Sequence, residues 1–384
     1  MKYWRGYLVA AILAAITWGF REFAQTHSKL VDMIYPYITR MIQNYMANWS
    51  LGADFCVWQA IILALAVAAV ATIVLMIVFK WNPIQWFGWI LAVVSVITLL
   101  HTGIFGMNAF AGPMAEDIRL EETECTNTQL EEAAMFYRDQ ANALAEQVAR
   151  NSDGSVKLPD LKTLNEQAVS GFDNLVYKNY YSVFAGSKVP VKELGMAEYF
   201  TGIGEMGYTV AITGEAAVNM EAPSVMIPFA VSREMCYRMS IASERDKHFG
   251  AFLACQANDT PEFQYAGYVM AYRYCLNGLP KETASRVDSQ ASVKLRSDVD
   301  AWEVFIAPSL APQEPNLLDK LESKLPEKFR TQEEDPILVE GEIVDLLIRW
   351  HHETVVLPSI TEPEIVFDPY DETQIDMTGL PNVK

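Results

Sequence analysis

The run from Phe55 to Phe79 carries no charged residue over 25 positions and lies between Asp54 and Lys80. Wound as a helix it would reach about 37 Å, enough to cross a bilayer core of about 30 Å. Two neighbouring stretches share its character. Gly6 to Phe20 is 15 residues long, lies between Arg5 and Arg21, and has Trp4 and Trp18 as interfacial anchors. Trp86 to Phe105 ends near His101-Thr102-Gly103. The first lacks a small-x-small cleavage site and two further spans follow it, which argues against a removable signal peptide. The expectation is a membrane domain over 1–110 with three transmembrane helices at about 6–20, 56–79 and 86–105, so the lipid bilayer is the first partner.

Basic residues set the expected orientation. Lys2 and Arg5 precede the first span and Lys80 sits in the turn between the second and third. This places the N-terminus in the cytoplasm, and the 21–54 segment and everything after the third span outside the cell. Arg21, Lys29 and Arg40 are positive charges in that external segment.

Past the membrane domain the chain is strongly acidic. Residues 1–106 hold six Lys/Arg and three Asp/Glu, while the whole chain holds 29 and 48. A soluble part of this sign would be repelled by phosphate backbones, so nucleic acid is not an expected partner. Cys125, Cys236, Cys255 and Cys275 are widely spaced in the soluble part, Cys56 opens the second span, and there is no C-x-x-C. Buried free thiols are the expected state for Cys236 and Cys255.

Thr128 followed by Glu131 reads as a capping box opening a helix to about Arg150, and a second helix is expected over Leu161 to Val183. Tyr177, Tyr180 and Tyr181 in the latter are expected to pack at the core or its rim. Between 186 and 220, β-branched and aromatic runs broken by glycine read as strands, among them Gly207 to Thr213. Three helices follow, at Val231–Ile241, Asp246–Ala257 and Glu262–Asn277. The pattern then weakens through a proline- and charge-rich 306–335, recovers as a helix near Val339–Thr354, and ends in an acidic tail over 356–384 expected to be flexible.

The middle of the chain carries the chemical interest. Ile212-Thr213-Gly214-Glu215-Ala216-Ala217-Val218-Asn219 leads through Ile227-Pro228-Phe229-Ala230 to Arg233-Glu234-Met235-Cys236-Tyr237. Then come Glu244-Arg245-Asp246, Phe249 to Cys255, and Tyr265-Ala266-Gly267-Tyr268. In order and spacing this resembles a bacterial family of membrane-attached zinc metallopeptidases known mainly as a domain of unknown function. That family writes FTGEANVN, then HELAHQxGxAxEDEANFLAYLAC, then YSGY. Ile34-Tyr35-Pro36 and Ile343 to Ile348 also fit its pattern.

The resemblance implies an α+β fold, with three transmembrane helices followed by a mostly helical zincin-like domain with a small sheet over 111–355. It aligns Arg233 and Tyr237 with the two histidines of a zinc-binding H-E-x-x-H and keeps Glu234 at the general-base position. It puts Glu244 or Asp246 in the third-ligand region and Ser240 in place of a glycine. By the same resemblance the segment holding Tyr208, Val210, Ile212 and Glu215 would be the edge strand that receives extended substrate.

Arginine has no lone pair to offer a metal and a phenol with its pKa near 10 is a poor ligand. The expectation is therefore a zincin-like pseudopeptidase without metal, whose groove binds a peptide or protein, with Arg233 paired to Asp246 or Glu244. The alternative is an active peptidase with a rearranged site, for which zinc would be the cofactor. His248 four residues after Glu244 and His351-His352-Glu353 are the histidines from which a relocated metal site would be built.

Overall fold

The computed structural model describes residues 2–121, 123–310 and 336–358. Four long helices come first: α1 Arg5–Thr26, α2 Ser28–Ser50, α3 Val57–Val78 and α4 Pro83–Ile104. Of these α1, α3 and α4 are long and apolar enough to cross a membrane. The first is longer than the apolar run suggested, because Arg21 and Glu22 end the hydrophobicity but not the helix. Helices α1 and α4 run side by side. Gly6 lies so close to Gly88 that a Cβ there would fall 2.5 Å from the Gly88 carbonyl carbon, and the Tyr7 hydroxyl donates to the Ile84 carbonyl at 2.9 Å. Helix α3 stands apart, with Trp58 its one buried residue.

Helix α2 was not legible as a helix. Its inward residues Val31, Tyr35, Thr39, Gln43 and Ala47 recur every four positions, but Lys29, Asp32 and Arg40 lower its mean hydropathy. It lies between membrane segment and domain. The Tyr35 hydroxyl donates to the Thr102 carbonyl at 3.1 Å, and the Gln43 amide donates to the Ala211 carbonyl at 2.8 Å.

The remainder is mostly helical around one small sheet. The short α5 Met114–Asp117 leads to α6 Asn127–Ala145, whose capping box is Thr126 with Gln129 and not Thr128 with Glu131. Helix α7 spans Leu161–Tyr177 and leaves Tyr177 and Tyr180 exposed, against the expectation of packing. Around α8 Ala197–Gly202 come three strands, β1 Lys192–Glu193, β2 Gly207–Val210 and β3 Glu215–Val218. Their order is β1-β3-β2, with β1 parallel and β2 antiparallel to β3. Ile212 belongs to the turn between β2 and β3, where Gly214 takes φ +66°.

Helices α9 Ile227–Arg238, α10 Glu244–Gln256 and α11 Pro261–Gly278 follow, close to their expected bounds, and are buried along nearly their whole length. Two more, α12 Lys281–Asp288 and α13 Val293–Leu310, form where the sequence pattern weakened. Helix α14 Pro336–His351 returns to the core, where its Leu347 carbonyl accepts the buried Tyr137 hydroxyl at 2.8 Å. All five cysteines are free, Cys236 and Cys255 among the buried ones. Most of the expected 306–335 linker and the tail from 359 lie outside the described residues.

One contact ties the first turn of α3 to the sheet. The Glu215 carboxylate, with no exposed side-chain surface, accepts the backbone N–H groups of Val57 at 2.8 Å and Trp58 at 2.9 Å. These are orphan donors of the first turn of α3, and a carboxylate there also meets the positive end of the helix dipole. Lys192 balances the charge at 2.7 Å and donates to the Ser50 and Phe55 carbonyls.

Candidate functional site

Helix α9 sits against β2 and β3 and presents Arg233 and Tyr237 one turn apart, as the i, i+4 spacing requires. The Arg233 guanidinium, 10% exposed, bridges two carboxylates. It donates to Glu234 Oε1 at 2.5 Å and to Glu244 Oε2 at 2.9 Å, and lies 3.5 Å from Glu205 Oε1. Glu234 is nearly closed off from solvent, and its second oxygen accepts the Thr209 hydroxyl from β2 at 2.6 Å. Both oxygens of Glu234 are thus engaged.

Glu244, 38% exposed, also accepts from Lys247 Nζ at 2.5 Å, while the Lys247 side chain is 8% exposed. The same ammonium lies 5.0 Å over the Tyr237 ring. Tyr237 stacks on Phe105 at the end of α4, with ring centroids 4.0 Å apart and planes 15° from parallel. Tyr237 therefore packs against the end of α4.

Electrostatics follow from this packing. Burial alone would lower the Arg233 pKa, but Glu244, Glu234 and Glu205 together hold it above its ordinary value. Burial would raise Glu244, yet Arg233 and Lys247 carry it well below the carboxylate range. Glu205 is pushed up by burial, which outweighs Arg233, with Glu234 and Glu244 adding to the rise. His248 is pushed down to about 3 by burial and by Arg233, so it is neutral. Its Nδ1 bonds to the Glu244 carbonyl at 2.8 Å and its ring lies against Phe229.

The two acidic candidates after the helix part company. Two residues on a helix are about 200° apart, so Glu244 and Asp246 cannot face the same partner. Glu244 faces Arg233, whereas Asp246 binds the Met114 N–H at 3.1 Å and the Arg245 side chain at 2.8 Å on the opposite side of α10. Between the helices Ser240 takes φ +74°, the left-handed conformation that suits the glycine of the resembled pattern, and its hydroxyl donates to the Pro36 carbonyl at 2.9 Å.

The strand residues also separate. Strand β2 pairs on one side alone, so it is an edge. Tyr208 is half exposed on it beside Trp58, and Val210 packs against the small cluster around Trp58 and Phe200. Glu215 lies on the central strand, committed to the first turn of α3. His351 packs against Phe136 and Tyr137 and does not join Arg233. Among the described residues, no group of three or more His, Cys, Asp or Glu is arranged to hold a metal ion.

Glu205, Thr209 and Lys247 are site residues that sequence reasoning missed. Lys247 was findable, since it stands where the pattern E-D-E-A-N-F has alanine. Glu205 and Thr209 carry no local signal; the β2–β3 pairing brings them to α9.

Residues 31–316 fit the family described as protein of unknown function (DUF3810). No curated protein and no solved structure matches the chain.

Proposed function

Since the chain belongs to the DUF3810 family, whose function is unknown, we propose from the site itself that it is a membrane-anchored, zincin-like pseudopeptidase. Its groove binds an extended peptide or protein segment and does not cut it by metal chemistry. The observation that carries this reading is the buried Arg233 bridging Glu234 and Glu244. Arg233 and Lys247 bring two fixed positive charges to the place where a zincin holds a divalent ion. They neutralise carboxylates that would otherwise repel one another. Neither cation can supply a metal-bound water of lowered pKa, which zinc peptidases use as nucleophile.

The edge of β2, with Tyr208 exposed on it, supports strand addition as the binding mode. The family resemblance and the basic residues Lys2, Arg5 and Lys80 support a bacterial cell-membrane protein with three spans and the groove outside the cytoplasm. Reporter fusions after Arg150 test that sidedness, and a cytoplasmic signal there contradicts it.

The functional test pairs zinc content with binding. The purified full chain should carry well under one zinc per molecule. It should also enrich extended peptides from a randomised synthetic library, and Tyr208→Ala should weaken that enrichment. Stoichiometric zinc with cleavage that Glu234→Gln abolishes would establish instead an active peptidase with a rearranged site.

A further inference from the structure

A cavity lies on the far side of α10 from Arg233, where α2, the segment after α4 and the α9–α10 connection meet. It encloses about 400 Å³, and its charged lining is Asp32, Arg40, Asp117, Arg245 and Asp246. Arg245 and Asp246 pair with each other at 2.8 Å. Arg40 and Asp117 do not pair with each other or with any other ion among the described residues. Arg40 donates to the Ser182 carbonyl at 3.2 Å and packs over Tyr37, but its buried Nε has no hydrogen-bond partner. A guanidinium and a carboxylate thus line the same cavity within each other's field but too far apart to form an ion pair. Burial lowers the Arg40 pKa more than Tyr37 and Asp117 restore it, and burial with the nearby Asp32 raises that of Asp117 more than Arg40 lowers it, so their mutual attraction at this separation leaves room for a ligand's opposite charges.

The position of the cavity narrows the ligand. Helix α2 leaves the end of α1 after one residue, and the Tyr35 hydroxyl ties it to the last turn of α4. Its outer face carries Met33, Tyr37, Met41, Tyr45 and Trp49, all between 58% and 74% exposed and four residues apart. Such a stripe, about 24 Å long and rich in aromatics, matches a helix lying in the membrane interface. Tyr37 belongs both to the stripe and to the cavity wall.

We infer that this cavity binds the phosphoethanolamine headgroup of a membrane lipid, the phosphate on Arg40 and the ammonium on Asp117 and Asp32, with the acyl chains along the outer stripe of α2. The lining carries three carboxylates and two guanidinium groups, which favours a zwitterion and disfavours an anionic headgroup. The inference does not depend on the zincin reading. Occupancy would touch Ser240 and its neighbours in the connection between α9 and α10, which gives lipid a route to the Arg233–Glu244 bridge.

The test is calorimetric titration of the full chain in detergent with short-chain phosphatidylethanolamine, short-chain phosphatidylglycerol and inorganic phosphate, each below its aggregation limit. Phosphatidylethanolamine should bind best. Arg40→Gln should weaken it at least about tenfold, the loss expected for a charge-assisted contact to phosphate. Asp117→Asn should erase the preference over phosphatidylglycerol, and Lys29→Gln, exposed on the same helix, should change nothing. Unliganded melts establish that each variant is folded, and should Arg40→Gln fail to fold, the Asp117→Asn arm decides. Equal binding of the two lipids by wild type, or full binding by folded Arg40→Gln, overturns the inference. Inorganic phosphate binding as tightly as the lipid overturns it in favour of a soluble phosphate site.

Discussion

Arg233→Ala isolates the energetic contribution of the arginine that bridges Glu234 and Glu244. Removing it leaves Glu234 nearly enclosed, with the Thr209 hydroxyl as its remaining side-chain partner. Glu244 fares better, being 38% exposed and still bonded to Lys247. The cost therefore concentrates on Glu234. Breaking a buried pair from one side costs about 3–5 kcal/mol. An orphaned carboxyl can escape by taking up a proton, which at pH 7 limits the cost to roughly 4 kcal/mol for an ordinary acid. About 3 kcal/mol is expected, equivalent to a fall in Tm of about 6–12 °C for a domain of this size.

The assay is a fluorescence melt of the full chain in detergent at pH 7 and pH 5. The loss should shrink at pH 5, where protonation is cheaper. Arg233→Met combined with Glu234→Gln should recover most of the stability, since no charge is then stranded. A single mutant melting within about 2 °C of wild type at pH 7 would refute the reasoning, because it would mean that water already solvates the bridge.

Other predictions follow from neighbouring contacts. Glu215→Ala should destabilise strongly, by about 3 kcal/mol or more, because it leaves the nearly buried Lys192 with carbonyl acceptors but no counter-charge and uncaps α3, whereas Glu215→Gln with Lys192→Met should lose less in the same melts. His248 has its folded pKa lowered to about 3 against an ordinary 6.5, so the unfolded chain binds the extra proton first. Its contribution is complete above about pH 6.5 and is lost as pH falls toward 3, so His248→Gln should flatten the stability profile in that window. Glu244 has a lowered folded pKa, so its contribution is present above its ordinary value of 4.5 and is lost as pH falls below it; Glu244→Gln should blunt that acid limb. Arg233→His with Tyr237→His should gain little zinc affinity while Lys247 occupies Glu244, and adding Lys247→Ala should raise it, measured by competition with a chromogenic chelator.

The parts legible in the sequence were those written in one local period. Uncharged runs marked α3 and α4, and the motif spacing marked α9 to α11. Helix α2 stayed hidden because its apolar residues serve two faces, one on the domain and one outward, which leaves little contrast for a period to show. The choice between Glu244 and Asp246 could not be made locally either. It depends on where α10 begins, which the left-handed turn at Ser240 and the cap at Ser243 set. Glu215 looked like a groove residue because it follows the edge strand in the motif. One strand exchange places it in the sheet centre, and only the three-dimensional path of Ser50 to Val57 shows the helix end that it caps. Lys247 was visible as a departure from the alanine of the pattern, but its meaning needs the distance to Glu244 and the Tyr237 ring.

The most direct test of the central claim is the metal content of the wild-type full chain, purified without chelators after growth in zinc-supplemented medium. The account predicts well under one zinc per chain, no change in Tm on adding zinc or a chelator, and no peptide cleavage that depends on Glu234. One zinc per chain, lost with its activity on chelation and restored on adding zinc back, would contradict it.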